Sequence, residues 1–169
     1  VGPTAWTTIG RMRLAAGDTS GALEAARSAQ ALSINAPGPV QLALEMMGPK
    51  VPLAEPIVLH YLDGKPLPEL RMAYARALLE GQRYAEATQQ LQLLTNQNPD
   101  FADAWLVQGS LQVQENQLSA AEASLQRFIT LAEPLPASEG RTRGLSSAYM
   151  ALSQVAENRK DYPAASAWL

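Results

Sequence analysis

The sequence has no cysteine and a single histidine among its 169 residues. The missing thiols exclude disulfide bridges, thiolate zinc sites and cysteine nucleophiles. The one histidine, His60, can form neither a multi-histidine metal site nor a catalytic triad by itself, and we expect it to be a packing residue. Phosphate-binding loops of the Gly-x-Gly-x-x-Gly and Gly-Lys-Ser/Thr types do not occur. We therefore expect no enzyme and no metal or cofactor site.

Lysine is scarce as well, since Lys50, Lys65 and Lys160 are the only three and the net charge is −3. A basic face that could neutralise nucleic-acid phosphates is not expected. Long apolar runs are missing too, and a run such as Ile57 to Leu59 is far shorter than the roughly 18 residues that span a bilayer. We thus expect no nucleic-acid partner and no membrane insertion by this segment.

The β-branched residues valine (7) and isoleucine (4) are outnumbered by alanine (29) and leucine (24). Alanine and leucine lose little side-chain entropy in a helix, whereas β-branched side chains are restricted by the preceding helical turn. The composition therefore predicts an all-α fold.

The chain contains an internal repeat. Tyr84-Ala-Glu-Ala87 aligns with Leu118-Ser-Ala-Ala121 at an offset of 34 residues, and the same frame returns at Tyr162-Pro-Ala-Ala165 after 44 residues. The residues around Ala22 fall into the same phase. The spacing of the repeat is therefore constant in the middle of the chain and varies elsewhere.

Each repeat predicts a helix, a short turn and a second helix. The predicted pairs are Glu69 to Glu80 with Tyr84 to Asn96, and Ala102 to Glu115 with Ser119 to Leu131. Pro99 and Pro134 follow the second helices, and proline stops a helix because it has no N–H and clashes with the preceding turn. The repeating unit is thus predicted to be an antiparallel helical hairpin.

Small residues recur at fixed places in these hairpins, and larger apolar residues lie between them. The residues concerned are Trp6, Ile9, Gly10, Gly17, Asp18 and Ala22 in the first unit, Tyr84, Ala87, Leu94 and Pro99 in the third, and Trp105, Gly109, Leu118, Ala121, Leu125 and Leu131 in the fourth. This pattern resembles the bacterial tetratricopeptide repeat (TPR) family. The resemblance implies a right-handed α-solenoid of stacked antiparallel helix hairpins with about ten helices.

In this interpretation residues 1–169 form a single domain. Its units are residues 3–36, a degenerate 37–67, 68–101, 102–145 with an insertion near 133–142, and an incomplete 146–169. Because the amphipathic pattern is unfinished at Trp168 and Leu169, we expect a fragment of a longer chain. The ten additional residues around Pro134 to Gly140 predict a loop or an extended helix end.

The second unit is the least regular, since seven of the twelve prolines lie between Pro37 and Pro68. Its many apolar residues favour a degenerate repeat with short helices at Val40 to Met47 and Ala54 to Asp63. A boundary between two repeat blocks is the alternative. Arg71 and Gln108 also depart from the pattern, because apolar residues are expected at both positions.

A finer resemblance is carried by Ala36-Pro-Gly-Pro-Val40, Gly48-Pro-Lys-Val-Pro52 and Leu70-Arg-Met-Ala-Tyr-Ala-Arg76. These segments are similar to the central part of long envelope-associated repeat proteins of β-proteobacteria. The similarity implies a location in the bacterial periplasm or cell envelope rather than in the cytoplasm.

Exposed positions on the first helix of each hairpin are the predicted binding surface, because first helices line the concave side of such arrays. We call them the first-helix strip. The strip consists of Thr7, Arg11, Gln41, Glu45, Glu69, Met72, Arg76, Leu106, Ser110, Gln114, Met150 and Gln154. It has no lysine, which argues against a clamp for an acidic peptide terminus.

We expect a non-enzymatic protein–protein interaction module that binds a peptide segment or helix of a partner and assists complex assembly. Met72, Leu106 and Met150 would hold this segment, and Arg76 and Gln114 would orient it. The alternative is a structural spacer or self-association scaffold that forms a homo-oligomer through exposed repeat ends, especially Trp168 and Leu169.

Overall fold

In a computed structural model, residues 1–169 are described, except for the side chain of Tyr162, and they form ten α-helices. The helices are α1 Pro3–Ala15, α2 Thr19–Leu32, α3 Pro37–Met46, α4 Glu55–Leu62, α5 Pro68–Glu80, α6 Tyr84–Gln97, α7 Ala102–Gln114, α8 Leu118–Ala132, α9 Glu139–Asn158 and α10 Tyr162–Ala167. The only extended pairing in this part of the chain is an isolated bridge between Gly48 and Val51. The predicted all-α fold with about ten helices is confirmed.

The helix starts follow from local chemistry. Pro3, Pro37 and Pro68 occupy the first turns of α1, α3 and α5, where a missing N–H costs nothing and the fixed φ suits a helix. Asp18 caps α2 by accepting a hydrogen bond from the Gly21 N–H at 2.9 Å. Proline as a first helical residue also explains why α3 begins at Pro37, three residues before its predicted start.

The chain divides into two compact units, which are described separately: Val1–Gln90 (unit 1) and Leu91–Leu169 (unit 2). In unit 1, α3 packs against α1, α2, α4 and α5. The core of unit 1 includes the fully buried Leu42, Val58, Tyr61 and Leu78. Residues 37–67 therefore contain two short helices that are part of the unit 1 core.

In unit 2, α8 packs against α7 and α9, and α10 packs against α9. The core of unit 2 is built around Leu125, Phe128 and Leu152. Helix α9 spans 20 residues and begins at Glu139, after a short exposed connection from α8. The additional residues near 133–142 thus form both a loop and an extended helix start, and the unit boundary predicted after residue 145 lies within α9.

Glycine allows close packing at two equivalent places in first helices. A Cβ atom at Gly10 would lie 2.5 Å from Leu42 Cδ2, and one at Gly109 would lie 2.7 Å from Leu125 Cγ. Both distances are well below van der Waals contact, so neither position accommodates a side chain without a shift of its neighbours. The small residues of the repeat therefore have the packing role that the sequence predicts.

The two departures from the repeat pattern are buried and hydrogen-bonded. Arg71 is 6% exposed and donates to Gln90 Oε1 at 2.7 Å and to the Leu62 carbonyl at 3.3 Å. Burial lowers the pKa of Arg71. Gln108 is 8% exposed and donates from Nε2 to Ser124 Oγ at 3.3 Å. Both side chains thus replace apolar packing with interhelical hydrogen bonds.

Four of the five first helices end in the same turn. A residue with positive φ follows each of α1, α5, α7 and α9: Gly17 (83°), Gln82 (60°), Asn116 (59°) and Lys160 (60°). In each case this residue and its two neighbours donate their N–H groups to the last carbonyls of the helix. We call this the left-handed turn. Helix α3 lacks it, because the chain becomes extended at Met47 (φ −61°, ψ 131°) and continues as a loop to α4.

Gly109→Ala should lower the free energy of unfolding by about 1–3 kcal/mol, since the new methyl group overlaps both the side chain and the backbone N of Leu125. Gly140→Ala is the control, because the atom nearest to its Cβ is 4.0 Å away. This second change should raise stability by about 0.5 kcal/mol. Urea unfolding measures both, and a Gly109→Ala chain as stable as the parent would contradict the packing account.

Gln82→Gly should raise stability by about 0.5–1 kcal/mol, since glycine removes the steric cost of positive φ. Asn116→Gly should raise stability by a smaller amount, because asparagine tolerates positive φ better than glutamine does. Gln126→Gly, at an exposed position inside α8, is the matched change and should lower stability by about 1 kcal/mol. Thermal unfolding measures the stability of each variant. Equal losses of stability for Gln82→Gly and Gln126→Gly would exclude backbone strain at Gln82.

Candidate functional site

The first-helix strip is distributed over both units. Unit 1 contains Thr7, Arg11, Gln41, Glu45, Glu69, Met72 and Arg76, and unit 2 contains Leu106, Ser110, Gln114, Met150 and Gln154. The geometry of each part is described within its own unit.

In unit 1, a cleft of about 350 Å³ lies between α1 and α3, and Thr7, Arg11 and Gln41 line it. Gly38 lets the two helices approach, since a Cβ atom there would lie 2.9 Å from Thr7 Cγ2. The Thr7 hydroxyl donates to the Pro3 carbonyl at 2.8 Å, and its oxygen keeps its ability to accept a hydrogen bond. Three of the residues predicted from the sequence therefore meet at one cleft.

Arg11 and Glu45 form an ion pair between α1 and α3, with 2.8 Å between Nη1 and Oε1. The two side chains are 44% and 52% exposed, so solvent screens the pair and its contribution to stability is small. The pair places the guanidinium beside the cleft and leaves it accessible to solvent.

On α5, Glu69 and Arg76 are exposed, but Met72 is only 4% exposed. Helix α5 buries six of its 13 residues and is covered on more than one side. Met72 therefore belongs to the core, which corrects the expectation that it contacts a bound segment.

In unit 2, Leu106 is half-buried and packs against the core, and its carbonyl accepts a hydrogen bond from Ser110 Oγ at 2.9 Å. Gln114, Met150 and Gln154 are exposed, and Met150 is 65% exposed. The unit 2 part of the strip thus contains one largely exposed apolar side chain, Met150, and the exposed amide groups of Gln114 and Gln154.

The sequence analysis did not identify a polar network at the start of α4, formed by Glu55, Tyr74, Arg83 and Glu86. Glu55 accepts hydrogen bonds from Tyr74 Oη at 2.6 Å and from Arg83 Nη1 at 3.0 Å, and Arg83 also pairs with Glu86. The hydrogen bond from Arg83 lowers the pKa of Glu55, although burial opposes this effect. Burial and the hydrogen bond to Glu55 raise the pKa of Tyr74. The network was missed because Glu55 and Arg83 are 28 positions apart without a repeated pattern.

His60 is exposed on α4, because the buried residues of this helix are Ile57, Val58, Tyr61 and Leu62. The expected packing role of His60 is therefore wrong. Among the residues that the structure describes, no three His, Asp or Glu side chains are grouped so that they could hold a metal ion. In the same part of the chain, no helix has the length and apolar character needed to cross a bilayer.

The arrangement of the helices is similar to that of solved repeat proteins, whereas no protein-family model and no curated protein matches the sequence. The C-terminal part of a TPR repeat-containing protein from Cytophaga hutchinsonii gives a TM-score of 0.77, with 14% identity, over 99% of this chain and 67% of that chain. The chain has the tetratricopeptide repeat fold.

Two further TPR neighbours cover most of both chains. MamA from Desulfovibrio magneticus RS-1 gives a TM-score of 0.67 with 18% identity, over 98% of this chain and 90% of that chain. YrrB, described as a TPR protein with an unusual peptide-binding site, gives 0.67 with 14% identity, over 96% and 80%. The resemblance to TPR proteins is confirmed as a likeness of fold, and the finer resemblance to β-proteobacterial envelope proteins stays a prediction.

Glu55→Gln should lower the free energy of unfolding by about 1 kcal/mol at pH 7, because it weakens charge-assisted hydrogen bonds from Arg83 and Tyr74. The folded-state pKa of Glu55 lies below its ordinary value of 4.5. Its stabilising effect is therefore complete above pH 4.5 and is lost as the pH falls through the folded-state pKa.

Urea unfolding of parent and variant at a series of pH values measures this difference, which should shrink on acidification. Glu24→Gln serves as the control, since Glu24 is exposed and has no ion pair among the described residues. A Glu55→Gln difference that stays constant at all pH values would show that the charge of Glu55 is not responsible.

Proposed function

We propose that the chain is a non-enzymatic interaction module whose first-helix strip binds a peptide segment or helix of a partner protein during complex assembly. The observation that carries this proposal is the cleft between α1 and α3, because Thr7, Arg11 and Gln41 converge there on first helices. The TPR fold and the peptide-binding site named for YrrB support it.

The cleft of about 350 Å³ suits one side chain of an extended segment. Arg11 offers a guanidinium that binds carboxylates through two parallel hydrogen bonds, and Gln41 offers an amide. A partner carboxylate can compete with Glu45 for Arg11, because the existing pair is exposed and therefore weak. An acidic side chain is thus the occupant that we expect at this point of the strip.

In unit 2, Met150 supplies apolar contact area and Gln114 and Gln154 supply amide groups. Methionine adapts to differently shaped apolar partners because its unbranched chain has three rotatable bonds. Glutamine can donate to and accept from a peptide backbone. This part of the strip therefore favours an apolar partner side chain with hydrogen bonds to the backbone beside it.

The scaffold alternative depends on free apolar groups at Trp168 and Leu169. The Trp168 ring stacks on Tyr149 of its own chain, with 6.0 Å between ring centroids and an interplanar angle of 18°. Trp168 is also half-buried. Its contact with Tyr149 favours the interaction module over self-association through this residue.

The module should lose its partner when both parts of the strip are altered. Arg11→Glu combined with Met150→Glu changes one exposed strip residue in each unit, and Arg11 lines the cleft between α1 and α3. Arg27→Glu with Leu93→Glu is the matched control, because it makes the same charge reversal and a comparable apolar replacement at exposed positions on second helices. Affinity capture from an extract of the source cells, read by mass spectrometry, compares both variants with the parent.

A protein retained by the parent and the control but lost by the strip variant supports the proposal. Calorimetry with that protein should then show a loss of more than about 2 kcal/mol in binding free energy for the strip variant. Equal capture by all three chains would place binding elsewhere. Recovery of further copies of the chain alone would instead support the scaffold.

A further inference from the structure

The loss of the left-handed turn after α3 leaves the carboxyl end of this helix open. In α1, α5, α7 and α9, three backbone N–H groups of that turn donate to the last carbonyls. Among the described residues, no backbone or side-chain donor beyond the helix reaches the carbonyls of Ala43, Leu44, Glu45 or Met46. These four groups carry the negative end of the helix dipole, so the site attracts positive charge.

A cleft of about 540 Å³ lies at this end of α3. Its walls come from the end of α3, the loop to α4 and the turn between α5 and α6, all within unit 1. Leu44, Met47 and Val51 are half-buried and give it an apolar side. A volume of this size is in the range of ligand-binding pockets.

The charged groups that line the cleft are three carboxylates, Glu45, Glu55 and Glu80, and one guanidinium, Arg83. Arg83 is already paired with Glu55 and Glu86, and Glu45 is paired with Arg11 of α1. Glu80 is exposed and has no ion-pair partner among the described residues. Glu80 is therefore the one lining carboxylate without an ion pair among the described residues, and its negative charge adds to that of the helix dipole.

We infer that this cleft binds a lysine or arginine side chain of a partner polypeptide, next to an apolar residue of that partner. The cationic end lies between Glu80 and the open carbonyls of α3, and the aliphatic stem lies along Leu44, Met47 and Val51. Long basic side chains combine these two requirements, since their stems pack on apolar surface while their charge stays hydrated. A bare metal ion would not use the apolar wall.

This site shares only Glu45 with the first-helix strip, because the rest of its lining lies at the end of α3, in the α3–α4 loop, at the start of α4 and around the α5–α6 turn. It therefore goes beyond the proposed function and does not depend on it. A partner that bound both surfaces would place a basic side chain in the cleft at the end of α3 and a carboxylate next to Arg11 in the cleft between α1 and α3.

The test is a titration of the isotope-labelled 169-residue chain, followed by amide NMR shifts, with acetyl-Gly-Leu-Lys-Val-Gly-amide at up to about 5 mM. Shifts should cluster at residues 44–55 and 80–83. The same peptide with glutamate in place of lysine should cause none there. Glu80→Gln should weaken the lysine peptide about threefold, and Glu24→Gln, outside the cleft, should leave its affinity unchanged.

Four outcomes would overturn the inference. The first is the absence of shifts at these residues, and the second is equal shifts with the glutamate peptide. The third is an equal response to n-butylammonium, which would indicate a site for small amines rather than for a polypeptide. The fourth is a change of the same amides with protein concentration alone, which would make a second copy of the chain the occupant.

Discussion

The close approach of neighbouring helices at positions without a side chain is the constraint on which the packing of both units depends. Where Gly10 faces Leu42 and Gly109 faces Leu125, even one added carbon atom would lie less than 3 Å from the facing leucine. Buried leucine side chains can therefore fill the space beside a first helix without leaving a cavity, and this dense packing adds dispersion contacts that stabilise the core. The alanine-rich second helices extend the same principle, since Ala22, Ala25 and Ala26 of α2 are completely buried.

This constraint explains why the sequence alone predicts so much of the fold. Small residues at the same offset, with prolines after the second helices, were sufficient to predict the hairpins and their helix bounds to within a few residues. The start of α3 was predicted three residues too late, because Pro37 was not expected to lie inside a helix, whereas it occupies the first turn. The predicted start of α4 at Ala54 is within one residue of the observed start at Glu55. A proline favours a helix in its first turn but interrupts a helix in its middle. The short apolar runs of residues 37–67 offered no periodicity that could distinguish these two positions.

The candidate sites were less predictable, because exposure depends on how many neighbours a helix has. The exposure of Arg11 and Gln41 could be predicted, since α1 and α3 each leave one side open beside the cleft. The burial of Met72 could not be predicted, because its position in the helix alone does not reveal that α5 is covered on several sides. The cleft at the end of α3 was also hidden. Gly48 stands two residues after Met46, where the other first helices have their left-handed residue, so the sequence does not reveal that the turn is missing.

The connection between α8 and α9 shows how the repeat length can vary without disturbing the packing. Its residues 133–138 are exposed, and the helix that follows is anchored separately, because Arg141 donates to the Ala132 and Glu133 carbonyls at the end of α8. A loop with fixed ends tolerates additional residues at little entropic cost. This joint is therefore a natural insertion point, where a tag or a small domain could be introduced while the hairpins on both sides keep their registers.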